Sequence, residues 1–84
     1  MKANVQTKEA LQVISDTLNE AQILLALDIV RKPNRVELNV TTEEKEVVFT
    51  CADPLKMENF LMKLKDTAPF HHDDIDELLT EIVS

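Results

Sequence analysis

The chain of 84 residues has no glycine, tryptophan or tyrosine, only one cysteine and only three prolines. Glycine lets a backbone turn left-handed or approach a ligand closely. Its absence excludes phosphate-cradling loops, dinucleotide fingerprints and nucleophile elbows. The lone thiol, Cys51, cannot close an internal disulfide, and Met1 to Gln6 carries one base without the apolar stretch of a secretory signal. Both points favour a reducing, cytoplasmic setting. The longest apolar run, Ile23 to Leu27, falls far short of the roughly 18 to 20 residues that cross a bilayer, so no membrane span is expected. Phe49, Phe60 and Phe70 are the only aromatics, too few to build a stacking platform for nucleic acid.

What remains is 44% hydrophobic and 30% charged, the balance of an ordinary globular chain. Residues 1–84 are read as one small acidic domain with a thin core, since a chain this short buries only about 60 to 65% of the surface its unfolded form exposes. The charge is unevenly placed. The segment from Asp66 to Ser84 holds six acids and no lysine or arginine, whereas the preceding 65 residues hold ten acids against nine bases. Nearly all of the net charge of -7 therefore sits at one end, where a cationic partner is expected.

Thr7 is a candidate cap for a first helix whose apolar positions Leu11, Ile14, Leu18, Ala21 and Leu25 keep three-and-four spacing. From Ala21 to Val30 only Gln22 and Asp28 are polar, and the Leu/Ala content favours continuing that helix to Lys32, where Pro33 stops it. Such a helix would be roughly 39 Å long at 1.5 Å per residue. Its apolar second half needs cover, and homodimerisation through Ile23, Leu24, Leu27 and Val30 is the expected cover. In the next segment Val36, Leu38 and Val40 alternate with Glu37 and Asn39, and after Thr41 to Glu46 Val47, Phe49 and Cys51 alternate with Val48 and Thr50. A turn centred on Glu43 and Glu44 sets Val40 against Val47, Leu38 against Phe49 and Val36 against Cys51. Without glycine, a four-residue loop on a type I turn is expected there. Asp53-Pro54 reads as an N-cap and first helical residue, followed by the stripe Met57, Phe60, Leu61 and Leu64. A last helix is expected from about Asp74, where Asp74 and Glu77 have capping-box spacing and Ile75, Leu78, Leu79 and Ile82 share a side. The expected fold class is α+β: a long N-terminal helix, a two-stranded antiparallel hairpin and two C-terminal helices, in the order α-β-β-α-α.

No catalytic residue, metal ligand or cofactor is expected. Cys51 shares the parity of Val47 and Phe49, which marks a core thiol rather than a nucleophile. Metal-capable groups cluster only at His71-His72-Asp73-Asp74, and adjacent histidines diverge on a helix instead of meeting at one ion. Paired carboxylates are abundant, but nothing places one in a desolvated pocket. The cations Arg31, Lys32 and Arg35 read as complements to a helix C-terminus, and direct nucleic-acid binding is disfavoured by the acidic total. Asp73, Asp74, Asp76, Glu77 and Glu81 are the expected partner-binding residues, either meeting a basic surface or imitating spaced phosphates. The expected function is that of a non-enzymatic regulator or inhibitor occupying a basic or nucleic-acid-binding site on a protein partner. The alternatives are a homo-oligomeric structural or assembly subunit and, more weakly, a small metal-binding protein.

Overall fold

Alternating side chains in the middle of the chain form the hairpin that their spacing predicts. In the computed structural model, which describes residues 2–5 and 7–83 and gives side chains for residues 9–83, Arg35–Thr42 pairs antiparallel with Glu46–Cys51. Val40 lies opposite Val47, Leu38 opposite Phe49 and Val36 opposite Cys51, and all but Cys51 are buried. The loop between them is three residues long and is held by the preceding Thr42. Its hydroxyl accepts from the backbone N–H groups of Glu44 and Lys45, while its own N–H donates to the Lys45 carbonyl at 2.9 Å. These bonds do the work that a left-handed glycine does in a tight turn.

The long first helix is not formed. Helix α1 spans Thr7–Glu20, and the apolar run after it is an extended strand, Leu24–Lys32. Pro33 does not terminate a helix but opens a two-residue turn, Pro33-Asn34, that folds this strand back antiparallel on Arg35–Thr42. Proline presets the first turn position, and among the described residues no backbone has positive φ, so Asn34 also stays on the negative side. Through that turn Ile29 meets Leu38 and Leu27 meets Val40, so the strand's inner face is completed by the same residues that complete the central hairpin. Pairing and burial outweigh the helix preference of leucine and alanine. The longest dimension of the molecule, 32 Å, is below the length the uninterrupted helix would need. The cap expected at Thr7 lies outside the residues whose side chains are described.

The sheet thus contains three antiparallel strands rather than a two-stranded hairpin. A short strand, Lys2–Val5, adds to it in parallel, pairing with Glu46–Cys51. In chain order the strands are β1 (Lys2–Val5), β2 (Leu24–Lys32), β3 (Arg35–Thr42) and β4 (Glu46–Cys51), and their order across the sheet is β1-β4-β3-β2. The fold is α+β, with helices α1, α2 (Pro54–Thr67) and α3 (His72–Val83) on one face of the sheet. α1 packs on the β4 side, α2 over β3 and β4, and α3 over β2.

One core joins the two layers. α1 contributes Ala10, Ile14 and Leu18, the sheet Val36, Leu38, Val40, Val47 and Phe49, α2 Met57, Leu61 and Leu64, and α3 Ile75, Leu78 and Ile82. Phe60 and Leu79 from the expected stripes are partly buried against this core, and the Phe60 ring lies 4.3 Å from that of Phe49. Asp53 caps α2 as its position before Pro54 predicts, its Oδ1 accepting from the Lys56 N–H at 2.9 Å. α3 begins earlier than expected, at His72, after a single 3-10 turn from Pro69 to His71. Asp74 therefore sits within the first turn rather than at the cap, where its charge complements the positive end of the helix dipole.

Candidate functional site: a groove between the β2 edge and α3

The acids of α3 are sorted by helical geometry. With Ile75, Leu78 and Ile82 turned into the core, residues three or four apart fall on common sides. Asp74, Glu77 and Glu81 share the side toward β2, whereas Asp76 faces α2 and pairs with Lys65 at 2.6 Å. Asp73 is exposed and does not line the same surface. Of the five expected partner-binding residues, the structure brings together Asp74, Glu77 and Glu81 and sets Asp73 and Asp76 apart.

Between those three acids and the outer edge of β2 runs a groove of about 600 Å³. Its floor includes Leu27 and Leu78, and its opposite wall is the strand segment from Leu24 to Asp28. β2 is the terminal strand of the sheet, and no described residue pairs with its outer side. A sheet edge of this kind carries backbone N–H and C=O groups that can bond a further strand. The register against β3 shifts between Leu24 and Ala26, a bulge that leaves Leu25 62% exposed.

Two polar devices hold the groove's walls. At the start of β2 the Glu43 carboxylate reaches across from the β3–β4 loop and accepts from the N–H groups of Gln22 at 3.0 Å and Ile23 at 2.8 Å. The Gln22 bond is the largest influence on this carboxyl, followed by its own backbone N–H and that of Ile23, and together they hold it below the usual glutamate range. At the start of α3 the His71 ring lies between layers, with Nε2 3.1 Å from the Leu18 carbonyl and Nδ1 3.4 Å from an Asp74 carboxylate oxygen. A carbonyl can only accept, so Nε2 carries the proton and donates. Asn19 adds a bond from its side-chain amide to the Thr67 carbonyl at 3.0 Å, and the Ser15 and Thr67 hydroxyls are hydrogen-bonded to each other. The C-terminal turns of α1 are thereby tied to the corner from which α3 departs.

The other sequence candidates go elsewhere. Leu24 and Leu27 pack against the core from β2, while Ile23 and Val30 stay exposed, so the four residues expected to form a dimer surface do not lie on one helical face. Arg31, Lys32 and Arg35 stand at the β2–β3 hairpin rather than at the end of a first helix, and Arg35 pairs with Glu37 at 3.0 Å. Cys51 is partly buried, and burial first, then the Asp53 charge, pushes its thiol up against a smaller opposing effect of Lys56. A thiol so placed has little thiolate character. Among the described residues no three of His, Cys, Asp and Glu are grouped to hold a metal ion. No described helix is long and apolar enough to cross a membrane.

The strand wall of the groove lies in the stretch whose Leu/Ala content predicts helix, so the sequence pattern does not place a groove there. A usable signal was present: Pro33-Asn34 is a turn dipeptide, and reflection about it sets Ile29 on Leu38 and Leu27 on Val40. Comparison with protein-family models, curated proteins and solved structures finds no match to the chain.

Proposed function

We propose that the protein is a non-enzymatic regulator or inhibitor that binds a protein partner through a basic surface of that partner, using the acidic side of α3. One observation carries the reading: Asp74, Glu77 and Glu81 line the groove beside the terminal strand β2, at an edge that no described strand pairs, so charge and a sheet edge coincide. Carboxylates at the rim speed encounter with a cationic surface, and the apolar floor at Leu27 and Leu78 supplies holding energy once water leaves. Solvent-exposed carboxylates suit docking better than proton transfer, which needs a desolvated group with a displaced pKa. Imitation of spaced phosphates by the same three acids is compatible with this mode.

Self-association at this edge is the weaker reading. Two copies paired through β2 would bring two acidic α3 sides alongside each other, and like charges oppose that arrangement.

The test is affinity capture from the native host with three forms of the protein. Glu77→Lys with Glu81→Lys removes groove acids, and Asp66→Lys with Asp73→Lys makes the same change in net charge away from the groove. All four positions are exposed, so circular dichroism and the thermal midpoint should change little. Loss of the captured partner from the first variant and its retention by the second is the expected result. Equal capture by wild type and the groove variant would overturn the reading.

A further inference from the structure

We infer that the groove takes its partner as an added β-strand: an extended segment carrying lysine or arginine at alternate positions lies along Ala26 to Asp28 and makes backbone hydrogen bonds with the outer edge of β2. This rests on the acidic docking surface proposed above and adds the conformation and residue pattern of what docks.

Three features of the groove select this occupant. Its strand wall, Leu24 to Asp28, is extended backbone whose outer side no described strand pairs, which a helix or a loop cannot match in register but another strand can. The spacing of the acids also fits. Glu77 and Glu81 are one helical turn apart, about 6 Å along the axis, and alternate residues of a strand are about 6.7 Å apart, so successive side chains on one strand face can each meet a carboxylate. On that same face the shorter intervening distance from Asp74 to Glu77 keeps a third acid within reach of a long lysine or arginine. Asp28, opposite Asn39 on the open side of the sheet, adds to the negative potential along the edge, although it lies on the other face from the side chains that meet α3.

The edge is also guarded against neutral or identical strands. The bulge at Leu25 interrupts the register against β3, and Asp28 places a charge mid-strand, both common devices against unspecific edge pairing. A second copy of this chain brings its own α3 acids, whereas a cationic strand turns the same charge into attraction.

A fluorescent peptide of alternating lysine and valine is the probe, measured by anisotropy at low and at physiological salt. Its comparators are a peptide of the same composition with lysines and valines in separate blocks, and the alternating peptide N-methylated throughout, which keeps every side chain but donates no backbone bond. The alternating peptide should bind at least about tenfold more tightly than either comparator and should slow exchange of the Ala26 to Asp28 amides. Equal binding of the alternating and N-methylated peptides, lost in the Glu77→Lys, Glu81→Lys variant, would overturn strand addition and leave acidic docking standing. Equal binding to wild type and that variant would overturn both. Exchange protection of the same amides by concentration-dependent dimerisation, without peptide, would assign the edge to a second copy and overturn the proposal.

Discussion

β4 and β2 flank the same central strand and meet it in the same antiparallel manner, yet one is interior and the other peripheral. Val47 and Phe49 of β4 are sealed beneath helices, and β4 is paired on both sides. In β2 the corresponding Leu27 and Ile29 are only partly buried, Leu25 and Val30 are exposed, and one side of the backbone has no described partner. The difference separates two roles for apolar side chains in one sheet. In β4 they stabilise the fold, and in β2 several of them are left on a surface.

The largest effect that would break or sharpen this contrast is a truncation series along the two strands. Phe49→Ala removes a buried ring in contact with Phe60 and should cost about 3 to 5 kcal/mol in urea denaturation. Leu25→Ala should stay within about 0.5 kcal/mol of wild type, because the bulge holds that side chain in solvent. A Leu25 variant as damaging as the Phe49 variant would mean that the β2 bulge is covered in solution.

The same contrast explains which parts were readable in the chain. Around Glu43 and Glu44 an apolar residue recurs at every second position of both strands, so Val40 with Val47 and Leu38 with Phe49 could be matched by inspection, although Val48 between them is also buried. Asp53-Pro54 was equally readable, because a cap depends on the two residues themselves. The stretch Ile23 to Val30 is different. Residues toward the core and residues toward the groove or bulge are both apolar there, and that erases the period that distinguishes strand from helix. Pairing across the Pro33-Asn34 turn, which a window confined to one strand does not contain, decided the outcome. The site suffered the same fate: its acids were named, but the separation of Asp74, Glu77 and Glu81 from Asp73 and Asp76 required knowing which side of α3 met β2.

A smaller effect tests the turn that creates β2. Pro33-Asn34 reverses the chain without positive φ, so glycine at the second position would gain no steric relief there and would only loosen the unfolded chain. Asn34→Gly should therefore lower stability by about 0.4 to 1 kcal/mol, read from the urea midpoint. A stabilised variant would point to a left-handed turn and a different twist of the β2–β3 hairpin.

The smallest effect concerns the bond that anchors the head of β2 to the β3–β4 loop. As a carboxylate Glu43 accepts from the Gln22 N–H at one oxygen and the Ile23 N–H at the other, which a protonated carboxyl does less well, and those bonds lower its pKa in the folded protein. A carboxyl with a depressed folded pKa contributes stability that is present above its ordinary titration range and is lost as pH falls through the folded value. The anchor should therefore hold at neutral pH and release only on the acid side of the usual glutamate range. Carboxyl carbon shifts across a pH series should show Glu43 titrating below the usual glutamate range, with the Gln22 and Ile23 amide shifts moving at the same midpoint. Glu43→Gln should abolish that shared transition while leaving the β4 amides unchanged, because β4 is held by its two neighbouring strands and the helices above it. If the β4 amides followed the same midpoint, the β2 edge would not be an independently held element, and the division between a sealed strand and a presented one would fall.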